Sequence, residues 1–276
     1  VPAVKHPATG EMCRTAAANA NAKRDHLAAL GAAGVTTGEV AAAASALVQD
    51  VARAISAGLS ADDVATLVEA AEAKCPRLGG GGVAATMKQK AAAAALNKAV
   101  TLDELEKALE QCKARTAPGE DGLPYEVYQH LPAEAKAWLA EVYSGVMRTH
   151  SAPAVWKKGV VGMLHKKGPT SECSNYRGIT LLDTSGKVFE RVLLGRLSGY
   201  AERYGLVHEN QNGFRALRSC EEHVFVLQQL LEANKDCVAV FVDVRKAYPT
   251  VFRDGLFAKL AQKGVGGDMW ATLRDM

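Results

Sequence analysis

The segment CVAVFVDVRKAYPTV, residues 237–251, constrains this chain more than any other. Val238 to Val242 is an unbroken apolar run that reads as a short strand covered on both faces, and Asp243 closes it. An unpartnered buried carboxylate costs several kcal/mol, roughly, so Asp243 requires an arginine, a helix N-terminus or a metal ion beside it. A turn through Pro249 follows. This places the carboxylate at the C-terminal end of a strand, where α/β proteins collect functional groups. Mg²⁺ is one fitting partner, because it takes one or two carboxylates plus substrate phosphates.

The rest of the chain supplies the company for that strand. Residues 1–100 are alanine-rich and read as helical, with breaks at Gly31, Gly34, residues 36–38 and Gly79 to Gly82. After the last break, KQKAAAAALNKA fits a helix or a linker equally well. The adjacent Asp62 and Asp63 resemble a metal site, but Ser60 three residues before Asp63 reads better as a helix cap with acids in the first turn.

From Thr101 the texture changes. Thr101 and Glu104 form a capping-box pattern ahead of a Leu102, Leu105, Leu109 stripe. TAPGEDGLP predicts a tight turn, followed by helices over 125–131 and 133–149. VWKKGVVGMLHKKG predicts a strand bracketed by lysine pairs. Helices over 185–203 and 219–234, the strand ending at Asp243, and a helix over 254–263 closed by Gly264 complete the order. The expected fold class is α/β in the broad sense (α+β), with 1–100 as a helical extension or linker and 101–276 as the chemical part.

Charge narrows the function. Between Trp156 and Arg218 eleven Lys or Arg stand against five acids, a local balance of +6, which suits a polyanion or a merely solvated face. The six cysteines show no CxxC pair and no histidine at zinc spacing, so a reducing, intracellular setting, nuclear and/or cytoplasmic, is expected. No stretch approaches the roughly 18 apolar residues of a membrane span, and no membrane partner is expected.

Five segments in order, APGEDGLPYEVY, LHKKG, NYRGITLL, QNGFRALRS and FVDVRKAYPTV, closely resemble the reverse transcriptase domain of non-LTR retrotransposons, from about Thr101 onward. The resemblance implies a partial right-hand polymerase fold: fingers and the first palm strand. It implies that Asp243, with the main-chain carbonyl of Val244, holds Mg²⁺ as catalytic metal ligand. It implies that Lys166 or Lys167, with Arg177, grips the triphosphate, Arg as a two-pronged fork and Lys as a point charge. Ala247 and Tyr248 meet the incoming nucleotide, Tyr248 excluding a 2′-hydroxyl, and Gln211, Gly213, Phe214 and Arg215 face the template. The partners implied are an RNA template, a DNA primer and deoxynucleoside triphosphates.

Pro249 stands where the family usually has an acid. The remaining metal carboxylates and the thumb are expected beyond Met276, so the chain by itself is expected to be inert as a polymerase. Two other readings stay open: a non-catalytic nucleic-acid or protein binding module derived from such a domain, and a related polymerase making RNA.

Overall fold

The computed structural model describes residues 4–5, 12–13, 38–58, 61–74, 93–234, 238–244 and 247–276. Its elements in order are β1 (Val4–Lys5), β2 (Met12–Cys13), α1 (Gly38–Ser56), α2 (Ala61–Lys74), α3 (Leu102–Glu110), α4 (Tyr125–Gln129), α5 (Ala133–Thr149), β3 (Gly159–His165), β4 (Tyr176–Leu182), α6 (Thr184–Arg203), α7 (Cys220–Ala233), α8 (Arg253–Gln262) and α9 (Gly267–Asp275). Helix and strand are mixed. The described strands form two antiparallel hairpins, β1 with β2 and β3 with β4. The first corrects the expectation of an entirely helical start, and Pro7 and Gly10 between its strands are poor helix residues.

Local signals placed most boundaries. The Thr101 side chain accepts from the Glu104 N–H at 3.2 Å while Glu104 accepts from the Thr101 N–H at 2.9 Å, a complete capping box. Ser219 and Glu222 repeat it at α7. At the end of α8, Gly264 adopts φ +84°, and the Gly264 and Val265 amides donate back to Ala261 and Leu260 at 2.9 Å each. This is the glycine-closed helix end expected from sequence. Asp63 lies in the first turn of α2; its expected cap Ser60, and the glycines 79–82, lie outside the described residues. Of the alanine-rich stretch before Thr101, residues 94–97 form one short 3₁₀ turn.

Two centres fill one core. In the first, Tyr143, Trp156 and Phe189 meet with ring centroids 5.0–5.8 Å apart, and the Tyr143 hydroxyl donates to the Ser185 carbonyl at 2.8 Å. Leu105, Ala108 and Leu109 of α3 join it against α6. In the second, Ala44, Leu47, Val48 and Val51 of α1 and Val64 and Val68 of α2 pack with Ala258, Ala261, Met269 and Trp270 of α8 and α9. Burying each Leu or Val fully stabilises by about 1.5–3 kcal/mol. The alanine-rich region therefore shares its core with the end of the chain.

The strand expected over 238–242 is not formed. These residues are non-helical, unpaired and solvent-facing, with Val242 85 % exposed. A short strand has its backbone satisfied only by a neighbouring strand, and neither described hairpin pairs with 238–242. Helix α7 does form, but none of its residues is buried.

Candidate functional site

Three segments carry the residues singled out by sequence. The β3–β4 hairpin is in register from Gly159 opposite Leu182 to His165 opposite Tyr176. Its connection is tightly organised: Lys166 N–H donates to the Asn175 carbonyl at 2.8 Å, Asn175 Nδ2 to the Pro169 carbonyl at 2.9 Å, and the Tyr176 hydroxyl to the Thr170 carbonyl at 2.9 Å. Arg177 is the partner of Leu164, so the two share a face of the hairpin. Lys166 lies two residues beyond Leu164 and continues the ladder by one rung. Lys158, Lys166, Lys167 and Arg177 are all exposed and form no ion pair with a described carboxylate.

The hairpin is seated on the turn read from TAPGEDGLP. A Cβ at Gly119 would lie 2.5 Å from the Leu182 carbonyl oxygen, so only glycine lets this turn approach the end of β4. Lys187 Nζ donates to the Ala117 carbonyl at 3.3 Å and lies over the Tyr125 ring. At the same junction Asp183 caps α6 through the Gly186 N–H at 3.2 Å. Burial, reinforced by the neighbouring Asp121 carboxyl, holds Asp183 above the usual carboxylate range despite that bond. Sequence reading gave neither aspartate a role, because they are far apart along the chain.

The second segment is the loop through Gln211, Gly213, Phe214 and Arg215. The Arg215 guanidinium forms a fork with Glu202 of α6 (2.8 and 2.7 Å) and donates to the His208 and Gln211 carbonyls. The bonds from Arg215 hold Glu202 below the usual carboxylate range. Arg215 therefore braces the loop. Phe214 and Leu217, at φ +62° and +60°, are instead 96 % and 100 % exposed. Positive φ is costly for bulky side chains, so the braced loop holds these two outward against local preference. Gln211 Nε2 donates to the Gly213 carbonyl at 3.2 Å. A cleft of about 570 Å³ between loop and α7 is lined by Asn210, Asn212, Arg218, His223 and Phe225 among others.

The third segment holds Asp243, Val244, Ala247 and Tyr248. Asp243 is exposed and has no hydrogen-bond or ion-pair partner among the described residues, which corrects the expectation of a buried carboxylate. Ala247 to Thr250 form a turn, with Val251 N–H donating to the Tyr248 carbonyl at 3.4 Å, and Tyr248 is 79 % exposed. Among the described residues no three His, Cys, Asp or Glu side chains converge as a metal site would require. Lys166 and Arg177 are thus brought together by a hairpin, and Gln211 to Arg215 by one loop.

The basic stripe divides on folding. Arg196 is buried at 7 % exposure and bound to Glu104; Lys157 pairs with Asp275 at 2.6 Å, and Arg218 with Glu209 at 2.6 Å. Lys158, unassigned by sequence, joins Lys166, Lys167 and Arg177 as an uncommitted cation of the hairpin.

Residues 164–273 match the family described as Reverse transcriptase (RNA-dependent DNA polymerase). The chain is 33 % identical over 181 residues to the probable RNA-directed DNA polymerase from transposon X-element of Drosophila melanogaster, covering 60 % of this chain and 20 % of that protein. It is 33 % identical over 166 residues to the RNA-directed DNA polymerase from mobile element jockey of the same fly, covering 58 % and 18 %. Against the putative 115 kDa protein in type-1 retrotransposable element R1DM, also from Drosophila melanogaster, it is 29 % identical over 175 residues, covering 60 % and 16 %. The chain spans about a fifth of the length of these relatives.

Proposed function

From a segment of reverse-transcriptase type, similar to polymerases of LINE-type non-LTR retrotransposons, we propose that residues 101–276 are the fingers and the beginning of the palm of an RNA-directed DNA polymerase. Residues 1–100, which carry α1 and α2, are its N-terminal extension or linker. The observation that carries this reading is the hairpin: Arg177 lies in β4 and Lys166 directly follows β3, both exposed and without a carboxylate partner among the described residues. Lys166 and Lys167 directly follow β3, and either can supply the point charge beside Arg177. A planar fork and a point charge suit the several oxygens of a triphosphate.

Reverse transcriptases use divalent metal ions. Asp243 and the carbonyl of Val244 would hold one, and Mg²⁺ there would lower the pKa of the primer 3′-hydroxyl and neutralise charge on the phosphates. An exposed carboxylate fits one corner of such a site, since Mg²⁺ keeps waters and takes other ligands from substrate phosphates. The protein's own residues bind and orient. Lys166 and Arg177 hold the triphosphate, Ala247 and Tyr248 bound the sugar, and Phe214 offers a ring on which a template base stacks. Gln211, Gly213 and Arg215 shape the loop that presents that ring. The substrates, nucleoside triphosphates with RNA template and DNA primer, place the activity inside the cell, in nucleus and/or cytoplasm.

The test is Asp243→Asn in a protein carrying this chain within the full length of its relatives. Mg²⁺-dependent primer extension should fall by orders of magnitude with unchanged thermal unfolding. Activity kept within about tenfold would reject Asp243 as the ligand. The second reading is a binding module without catalysis, in keeping with the finding that no three His, Cys, Asp or Glu side chains converge among the described residues. It predicts template binding with no synthesis in either protein.

A further inference from the structure

The most extensive contact between two helices among the described residues joins α1 to α8, about two hundred positions apart in sequence. Ala44, Leu47, Val48, Val51 and Ala54 recur at helical spacing, and all are buried. Their neighbours include the small Ala258 and Ala261 of α8, which let the helix axes approach, and Trp270 of α9. Val64 and Val68 of α2 extend the surface, and Val64 lies against Gly266 in the α8–α9 turn. One polar bond fixes the register: Ser45 Oγ donates to Asp254 Oδ2 at 2.5 Å.

The chain between the two partners does not impose this arrangement. Residues 75–92, which include Gly79 to Gly82, join α2 to the described chain at Ala93. Fully extended, a segment of that length reaches about 60 Å. The segment leading into α8 gives little anchorage either, because α7 buries no residue and 238–244 are exposed. Residues 253–276 are held by contacts from elsewhere: α1 and α2 on one side, and on another His150–Asp268 at 2.7 Å, Lys157–Asp275 at 2.6 Å and Asn97 Oδ1 accepting from Met269 N–H at 2.7 Å.

We propose that the α1–α2 pair is a docking module whose binding partner is the α8–α9 surface of the same chain, and that its engagement fixes the helices directly following the Asp243–Tyr248 segment. The module is tethered through a long connection, so the effective concentration of the tether favours closure within one copy.

The test uses the full chain with a protease recognition sequence in place of Gly79 to Gly82. After cleavage, the N-terminal piece should co-elute with the remainder at micromolar concentration, and Val51→Asp should release it. In uncleaved Val51→Asp, amide exchange across 253–276 should quicken at least about tenfold while that of α3 and α5 stays unchanged, as expected when one cooperative unit loosens. Separation of the wild-type pieces on cleavage, or unaltered exchange in α8 and α9, overturns the proposal. Should Val51→Asp fail to fold, the Ser45→Cys/Asp254→Cys double variant decides. Under mild oxidation, a 45–254 cross-linked peptide within a monomer supports the proposal, and its absence, or a link only between two copies, overturns it.

Discussion

Arg196 on α6 meets Glu104 on α3 with its Nε 2.7 Å from Oε1 and its second terminal nitrogen 2.8 Å from Oε2. The same guanidinium donates to the carbonyls of Leu96, Lys98 and Ala99. It thus binds the residues before α3, the first turn of α3 and α6 into one unit. Removing one side of this partly buried ion pair leaves a carboxylate and several acceptors without their donor, so Arg196→Ala should destabilise by about 1.5–3 kcal/mol. Arg196→Lys should recover little of this, since an ammonium cannot form the fork. Urea unfolding of the three proteins measures it, and a loss below about 1 kcal/mol for Arg196→Ala would show the pair to be incidental.

The acid side of the stability curve should depend on Glu104. Burial pushes its carboxyl up, but the bonds from Arg196 and Thr101, with the Arg196 charge, outweigh burial and leave it below the ordinary range. A lowered folded value means stability that is present above the unfolded value and lost as pH falls through the folded one. Glu104→Gln should therefore unfold more easily at neutral pH yet lose less stability on acidification. Parallel acid-unfolding curves for the two proteins would contradict this.

Asp183 should behave in the opposite sense. Burial and the adjacent Asp121 raise its carboxyl, so its contribution is present at low pH and is lost as pH rises through the raised value. Asparagine also caps helices. Asp183→Asn should keep the bond from Gly186 N–H, raise Tm at pH 7, and flatten the loss of Tm as pH rises above the ordinary aspartate range. A Tm lowered by the substitution at pH 7 would show that the charge stabilises the helix end more than Asp121 opposes it.

Tyr248, in the turn after Asp243, is expected to select deoxyribonucleotides by steric exclusion. In the full-length setting Tyr248→Val removes the clash and leaves the grip on the phosphates. Ribonucleotide incorporation should rise much more than deoxyribonucleotide use falls. Unchanged discrimination would leave Tyr248 an exposed aromatic without that role.

Nucleic acid and triphosphate should be held by the uncommitted cations. Replacing Lys158, Lys166 or Arg177 by Ala should weaken binding of an RNA–DNA hybrid or nucleotide and reduce the slope of log K against log salt by about one for each phosphate left without its cation. Arg215→Ala should act by loosening the Phe214 loop instead, with the salt slope little changed, because its charge is already neutralised by Glu202. Salt-independent binding by the wild type would reject the electrostatic reading.

Sequence by itself determined the features that close within a few residues. The capping boxes at Thr101 and Ser219 and the glycine-closed end of α8 follow from hydrogen bonds spanning three to five positions. The ordered motifs were equally legible, and they led to the same family that residues 164–273 match. Tertiary structure decided what depends on distant partners. Arg177 and Arg196 belong to one basic stretch of sequence, yet one is exposed on a hairpin and the other is half-buried against a carboxylate 92 positions away. Val238 to Val242 has the composition of a covered strand and remains exposed, while the alanine-rich α1, in which sequence showed no chemistry, packs on α8. The physical reason is the same in each case. A cap is satisfied by its own neighbours, whereas a strand, a buried charge and an apolar helix face are satisfied only by surfaces that the fold brings to them.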